Sequence, residues 1–347
     1  MIPFHVTRNG ICGVAAVALA LLAAAGCGDG SSAPAERHLV YTKGNGVTAP
    51  VVWIAKPDGS GGHPLTQGDL GVLSPDGTTV AVARRGKGIF LVPSHGGKAR
   101  RLTSSRLQPE AWTPDGKALM TTAATSNSVS ELVALDRATG KETTVARGSL
   151  YGFDFSPKGD ELVYSRAPKA TIQGICGDQF DLYTAKLDGS DVKRVTHDGL
   201  SAFPVWGPAG IAFSHFSVGA IGGDTSDCVS PGVWTIDPDG SHERAVISRA
   251  PDAITLLGFY GLQPLDWLDP EHVLVGFRSD SGTEGAVLDV KTHRLRRLGD
   301  YASVASSDGR FSVGSGGAQA LILSLLRLSD GHRLVLRKNA CCPSWNR

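Results

Sequence analysis

Short apolar segments separated by turn-like sequences run along most of the chain. Segments such as VVWIA, IFLV and ELVYS are rich in β-branched and aromatic residues, and Gly, Pro, Asp or Ser flank most of them. No long run places apolar residues three and four positions apart, as an amphipathic helix requires. The pattern therefore predicts many short strands joined by turns, which is an all-β fold.

The turn sequences recur with a period of about 40 residues. In each copy a strand that often ends in an aromatic residue meets a Pro-Asp-Gly-like turn, and a second strand, a third strand and another tight turn follow. Pro presets φ at one corner of such a turn, and Gly accepts a positive φ at another. The residue before the first turn of each copy is Ser74, Thr113, Ser156, Gly207, Leu268, Ser306 and Asn346.

Copies of four strands and about 40 residues are typical of the blades of a β-propeller. The marked turns and the second hairpins each number seven. The sequence therefore predicts seven four-stranded blades, with six as the alternative. The last copy stops after its first strand, ACCPSWNR. Residues 38–68, in contrast, supply the second, third and fourth strands of a blade whose first strand is missing from that segment. We predict that strands from both ends of the chain share one blade, because closing the ring removes exposed strand edges.

The SPDG and DGS turns, with an aromatic residue before the first of them, resemble the WD40-like PD40 repeats of TolB-type β-propellers. The resemblance covers nearly all of residues 38–347. It implies a propeller fold and a role in the integrity of the bacterial envelope through envelope partners. TolB is similar only over its propeller, which has six blades and follows a separate α/β domain, and we expect no such domain here.

The N-terminus carries a predicted export signal. Arg8 is followed by the apolar segment ICGVAAVALALLAAAG, which ends before Cys27 and is shorter than the roughly 20 residues that span a membrane. The small residues before Cys27 resemble the lipobox of bacterial lipoproteins, in which the cysteine is diacylated, for example with palmitate. The alternative is an ordinary secretory signal that is cut nearby.

The predicted organisation is a signal peptide over residues 1–26, a lipidated flexible tether over 27–37 and a propeller domain over 38–347. The expected location is the outer face of the bacterial cell membrane, where the lipid on Cys27 anchors the protein. The chain has 34 basic and 33 acidic residues and no run of like charges, which disfavours nucleic acid as a partner. We expect a monomer.

Several enzyme signatures are missing from the sequence. It has no GxSxG nucleophile elbow of a propeller-capped peptidase, no HxxxH pair, no EF-hand spacing and no Gly-rich loop that opens a helix. We therefore expect no cofactor, no catalytic residue and no metal.

Three insertions mark one edge of the predicted propeller. They cover residues 166–180 and 215–232, between the second and third strands of neighbouring blades, and residues 248–266, which lead into the next blade. Long loops on a rigid scaffold concentrate binding residues. Cys176 and Cys228 lie in the first two insertions, which are equivalent loops of sequential blades and therefore spatial neighbours. We predict a disulfide between them, since disulfides persist outside the cytoplasm. The candidate binding residues are Arg166, Asp178, Phe180, Asp181, His215, Phe216, Asp224, Asp227, Phe259 and Tyr260.

The sequence favours a non-catalytic scaffold that binds an envelope protein or glycan through this edge. The alternative is a metal-dependent enzyme of the lyase or lactonase type with its site at the central channel, for which His215 with Asp178, Asp224 or Asp227 is the candidate cluster. Cys341 and Cys342 are either thiols or a vicinal disulfide, and alternation along a strand predicts that one points to each face.

Overall fold

The computed structural model describes residues 38–44, 49–126, 129–167, 179–217, 229–249, 261–279, 282–302, 304–306, 309–316 and 322–345. Every regular element within these ranges is a β-strand. In the same ranges, no helix has the length and apolar character that crossing a membrane requires. The all-β prediction is confirmed.

The strands form six sheets. The first contains β1 (Leu39–Lys43), β2 (Val51–Ala55), β3 (His63–Gln67) and β27 (Ala340–Trp345). The second contains β4 (Leu70–Leu73), β5 (Thr79–Arg84), β6 (Gly88–Pro93) and β7 (Arg100–Thr103). The third contains β8 (Gln108–Trp112), β9 (Ala118–Ser126), β10 (Val129–Asp136), β11 (Glu142–Phe155), β12 (Glu161–Ala167), β13 (Asp181–Lys186) and β14 (Lys193–Arg194).

The three remaining sheets have four strands each. The fourth contains β15 (Ser201–Gly207), β16 (Gly210–Ser217), β17 (Val229–Ile236) and β18 (Arg244–Arg249). The fifth contains β19 (Leu262–Trp267), β20 (His272–Ser279), β21 (Gly282–Asp289) and β22 (Leu295–Tyr301). The sixth contains β23 (Val304–Ala305), β24 (Phe311–Gly316), β25 (Ile322–Arg327) and β26 (Arg333–Lys338).

The seven-stranded sheet is continuous because β11 belongs to two neighbouring groups of four strands. Residues 142–148 of β11 pair with β10, and residues 149–155 pair with β12. All strand pairs within the six sheets are antiparallel. Four-stranded antiparallel units in succession are the architecture that the repeats predict, and the count of seven blades stays a prediction.

The repeated turns form because their side chains and backbone bond locally. In the turn after β4, the backbone N–H of Gly77 donates to the carbonyl of Ser74, and that of Thr78 donates to Oδ1 of Asp76 at 3.0 Å. Gly77 has a φ of 70°, a value that few other residues adopt without strain. The turn between β8 and β9 repeats both bonds with Thr113 and Asp115.

The aromatic residue before the turn connects neighbouring sheets. The indole N–H of Trp112 donates to the carbonyl of Val72 at 3.1 Å, and that of Trp267 donates to the carbonyl of Val205 at 3.2 Å. Both rings are buried. Each therefore fills the space between two sheets and also satisfies its one polar group there.

The strand at the C-terminal end lies in the same sheet as the first strands. Leu39 is opposite Trp345, and Thr42 is opposite Cys341. Trp345 is buried in an apolar cluster with Leu39 and Val313. The pairing has the arrangement that ring closure requires, while closure itself stays a prediction.

Candidate functional site

His215 lies at the boundary between the third and fourth sheets. It follows Ile211 and Phe213 on the same face of β16, because side chains alternate along a strand. Ile211 and Phe213 pack against Val163 and Leu182 of the third sheet. His215 therefore extends this apolar boundary toward the end of β16, where the side chain is 13% exposed.

The imidazole of His215 is held from two sides. Its ring stacks on Trp234 with centroids 4.0 Å apart and planes 19° apart. Its Nε2 lies 2.6 Å from Oδ2 of Asp198. Asp198 is itself fixed, since its Oδ1 accepts the backbone N–H of Leu200 at 3.0 Å. The ring is thus oriented by an aromatic plane and a carboxylate.

Asp198 belongs to the segment that links β14 to β15, and Asp181 positions this segment. The carboxylate of Asp181 accepts hydrogen bonds from Nη2 of Arg194 at 2.5 Å and from the backbone N–H of Gly199 at 3.1 Å. Its side chain is 4% exposed, whereas that of Arg194 is 43% exposed. Asp181 therefore lies inside the fold and orders the linking segment that carries Asp198.

Glu243, which directly precedes β18, completes the group. The candidate ligand atoms of Asp198, His215 and Glu243 all lie within 4.8 Å of one another. Both carboxylates are exposed, and His215 is half-buried. Carboxylate oxygens and an imidazole nitrogen at this spacing are able to hold one divalent cation. They are equally able to accept hydrogen bonds from a ligand.

The two carboxylates have opposite pKa shifts. Partial desolvation of its exposed side chain, together with the nearby negative charge of Asp198, raises the pKa of Glu243. Burial would also raise the pKa of Asp198, but the N–H of Leu200 and the imidazole of His215 outweigh it and lower that pKa. Asp198 is therefore the carboxylate that stays ionised to lower pH, and Glu243 binds a proton more readily.

Phe180 and Phe216 lie in a small aromatic cluster beside this site. Phe180 is buried and meets Tyr151 edge to face at a centroid distance of 4.7 Å. Tyr151 also contacts Phe203, at 5.9 Å, and Phe216 is partly buried in the same cluster. Phe180 therefore contributes packing, while Phe216, Tyr151 and Phe203 are partly accessible.

Arg166 lies across the strand pair from Asp181. Its guanidinium carbon lies 4.2 Å from the ring centroid of Tyr183, which in turn stacks on Tyr164. This cation–π contact directs Arg166 along its own sheet. The structure thus brings His215 together with Asp198 and Glu243, and it places Arg166 in a separate aromatic stack.

The remaining predicted positions lie outside the described residues. They are Cys27, Cys176, Asp178, Asp224, Asp227, Cys228, Phe259 and Tyr260. The sequence analysis missed Asp198, Glu243, Tyr151 and Phe203. The segment THDGL around Asp198 was the available signal, because it combines His and Asp in a link between two predicted blades. Glu243 follows an ordinary DGS turn and has no such signal.

Comparison with known proteins shows which solved structures have a similar fold. No family model matches the sequence, and no curated protein matches it. Among solved structures, TolB from Acinetobacter baumannii matches with a TM-score of 0.53 and 16% identity, over 90% of this chain and 67% of that chain. An oligogalacturonate lyase in complex with manganese matches with a TM-score of 0.57 and 17% identity, over 85% and 83%. The propeller domain of the Trilobed protease from Pyrococcus furiosus matches with a TM-score of 0.55 and 11% identity, over 87% and 92%.

These likenesses, together with the successive four-stranded units, define the protein as a β-propeller protein. Its fold is similar to that of the TolB propeller, as the repeats predict. At these identities the likeness concerns the fold, and the function has to be argued from the site.

Proposed function

We propose that this protein is an exported, lipid-anchored propeller that binds an envelope protein or glycan at the edge where β16 ends and β15 begins. The observation that carries the proposal is the group of Asp198, His215 and Glu243, which presents two exposed carboxylates beside an oriented imidazole. The insertions that precede β13 and β17 occur at the same ends of the strands, because the strands are antiparallel. This edge is called the loop edge below.

The chemistry of the loop edge indicates the kind of partner. Two carboxylates accept hydrogen bonds or attract positive charge, and the partly buried aromatic rings of Tyr151, Phe203 and Phe216 offer apolar area nearby. A partner that presents hydroxyl groups or basic side chains matches this surface. The name TolB among the structural neighbours agrees with an envelope role, which is the part of the proposal that rests on resemblance.

A loop replacement tests the proposal directly. Ser217 and Val229 are paired in register across β16 and β17, so an Asn-Gly turn in place of residues 218–228 joins the two strands without disturbing them. The measurement is recovery of crosslinked partners from intact cells, with wild type in parallel. We expect the replacement to abolish recovery of the specific partner while the melting temperature stays near that of wild type.

Two further variants make the result specific. Asp198→Asn with Glu243→Gln removes both charges at nearly constant shape, and we expect a loss of partner recovery similar to that of the loop replacement. Lys158→Ala changes the SPKG turn at the opposite ends of the strands and serves as the matched control, with recovery unchanged. Equal recovery from all of these proteins would refute binding at the loop edge.

The lipid anchor is tested separately at Cys27. We expect wild type to incorporate labelled palmitate and to fractionate with membranes, and Cys27→Ser to lose both properties. Membrane fractionation of Cys27→Ser without label would instead favour an uncleaved signal segment. This experiment does not depend on the partner, so the two parts of the proposal fail independently.

A second candidate function is a cation-dependent enzyme, and the same three side chains are the observation that favours it. A bound cation would supply Lewis-acid chemistry to a ligand at the loop edge. Its residues lie on β16, on the segment between β14 and β15 and in the turn before β18, rather than on β15 at the start of the sheet. Metal analysis of the purified protein, with the Asp198→Asn and Glu243→Gln double variant as control, tests this candidate, and the absence of a stoichiometric ion would remove it.

A further inference from the structure

Cys341 and Cys342 lie side by side in β27, and the local backbone changes how their thiols point. Thr42 pairs with Cys341, and Val40 pairs with Ser344. One residue of β1 is therefore opposite two residues of β27, which is a β-bulge. Cys342 has a φ of 57°, in the left-handed region that non-glycine residues seldom adopt.

The bulge has a direct chemical consequence. Neighbouring side chains of a regular strand point to opposite faces, which is what the sequence predicts for this pair. In the structure the bulge and the left-handed φ of Cys342 break this alternation. Neither cysteine is in a disulfide, and the two thiols are close enough to shift each other's pKa.

Of the two cysteines, Cys341 lies at a pocket. Cys341 lines an open pocket of about 710 Å³ whose charged lining residues are Asp69, Arg84, Arg85 and Lys87. Three cations against one carboxylate make the pocket favourable for an anionic molecule. The side chain of Arg85 is almost wholly exposed, and its Nε lies 3.7 Å from Oδ1 of Asp69, the one carboxylate of the lining; the guanidinium is therefore hydrated and within reach of a ligand in the pocket.

The two thiols have different roles. The neighbouring thiol of Cys342 lowers the pKa of Cys341, despite burial, whereas the proximity of Cys341, with burial, raises the pKa of Cys342. Because the thiolate is the nucleophile and Cys341 is the cysteine that lines the pocket, Cys341 is the attacking group and Cys342 is the second to react.

We propose that Cys341 and Cys342 form a redox-active dithiol site that reacts with small anionic disulfides. The Cys341 thiolate attacks one sulfur of the disulfide, which forms a mixed disulfide and releases one thiol. Cys342 then loses its proton and attacks the sulfur of Cys341, which forms the Cys341–Cys342 disulfide and releases the second thiol. The protein loses two electrons and two protons, and the small disulfide becomes two thiols.

The position of the site couples this reaction to the end of the fold. The Cα atoms of adjacent residues are about 3.8 Å apart, which is less than the span of about 4.4–6.8 Å that is usual for a disulfide. The bond is therefore strained and easily reduced, and its formation distorts the pairing of β27 with β1. Oxidation is expected to lower the melting temperature of the protein by a few degrees, and reduction to restore it.

The experiment incubates the full chain with oxidised glutathione and analyses the tryptic peptide of residues 339–347, which contains no other cysteine. Wild type is expected to give a peptide that is two hydrogens lighter and carries no glutathione. Cys342→Ser should instead accumulate glutathione on Cys341. Cys341→Ser should react at a rate about tenfold lower than that of wild type, or lower still, since the remaining thiol has the higher pKa.

The probe also tests the pocket. Oxidised glutathione is anionic and cystamine is cationic, so the rate ratio of the two on wild type measures the attraction by Arg85 and Lys87. We expect wild type to prefer oxidised glutathione and the Arg85→Ala and Lys87→Ala double variant to lose most of this preference. The proposal is overturned if wild type keeps two free thiols or forms a stable mixed disulfide. It is also overturned if Cys341→Ser reacts as fast as wild type. The wild-type result is decisive even where a variant does not fold.

Discussion

Aspartate side chains stabilise the turns of this protein through local hydrogen bonds. In turn after turn a carboxylate accepts the backbone N–H two residues further on, and this holds for Asp76, Asp115, Asp188, Asp239, Asp289 and Asp330. Asp181 acts differently, because it is buried and holds the segment that leads to Asp198. Sequence reasoning grouped Asp181 with loop residues, since its position beside an insertion does not show that the side chain turns inward.

Replacing Asp181 should therefore destabilise the fold. Asp181→Ala leaves the buried N–H of Gly199 and the hydroxyl of Thr196 without this acceptor, and we expect a loss of about 2–3 kcal/mol in the free energy of unfolding. The charge of Arg194 adds little because that side chain is largely hydrated. Urea unfolding measures the effect.

Glu271→Ala is the matched control for Asp181→Ala. It removes a carboxylate whose partner, Lys291, forms an exposed ion pair with it, and the expected loss is about 0.5 kcal/mol or less. Equal losses in the two variants would contradict the structural role of Asp181.

At the scale of one element, the SPDG turn predicts a pH dependence. Burial alone would raise the pKa of Asp76, but hydrogen bonds from Ser74, Thr78 and Arg137 hold that pKa at about 2, below the ordinary 3.8. A carboxylate with a lowered pKa stabilises the fold above pH 3.8 and loses this contribution as the pH falls toward 2.

Asp76→Asn should accordingly be less stable than wild type near pH 6, with a difference that shrinks between pH 4 and pH 2. Urea midpoints of both proteins at several pH values give the measurement. A difference that stays constant over this range would show that the ionised carboxylate does not stabilise the turn.

Packing between neighbouring sheets leaves no room at Gly207. A Cβ built on this residue would lie 2.1 Å from the ring of Trp267, which is far too close for either group to remain in place. Gly207→Ala should therefore lower the free energy of unfolding by about 1–3 kcal/mol or more, which is measured as a lower melting temperature.

Gly44→Ala is the control. A Cβ on residue 44 would lie no closer than 3.4 Å to its nearest neighbour, so we expect little change in the melting temperature. Similar effects at both positions would argue against tight packing between β15 and β19.

At the scale of the whole molecule, we predict that the two ends of the chain close the ring. Thr42 is opposite Cys341 in the pairing of β1 with β27. Thr42→Cys in a Cys342→Ser background should therefore form a disulfide with Cys341 and link the tryptic peptides of residues 38–43 and 339–347. The closed loop is about 300 residues long, and the chain-entropy model gives a stabilisation of about 6 kcal/mol.

The measurement combines mass spectrometry of the linked peptides with the melting temperature. Val51→Cys in the same background is the control, because Val51 is opposite Lys43 and should not reach Cys341. Failure of Thr42→Cys to link to Cys341, or a link from Val51→Cys instead, would contradict the closure.

The sequence by itself determined the strands, the turns and the order of the repeats, because these depend on alternation over a few residues and on the local bonds of Asp, Pro and Gly. It also indicated a recurring aromatic residue before the first turn of many copies, and His215 as a member of a candidate cluster. Only the tertiary structure joined His215 to Asp198 and Glu243, which come from a linking segment and from the turn before β18. Only the structure, likewise, brought the thiols of Cys341 and Cys342 together, through a bulge set by pairing with the other end of the chain. Such contacts depend on which strands become neighbours and where their pairing shifts, and no local pattern contains that information.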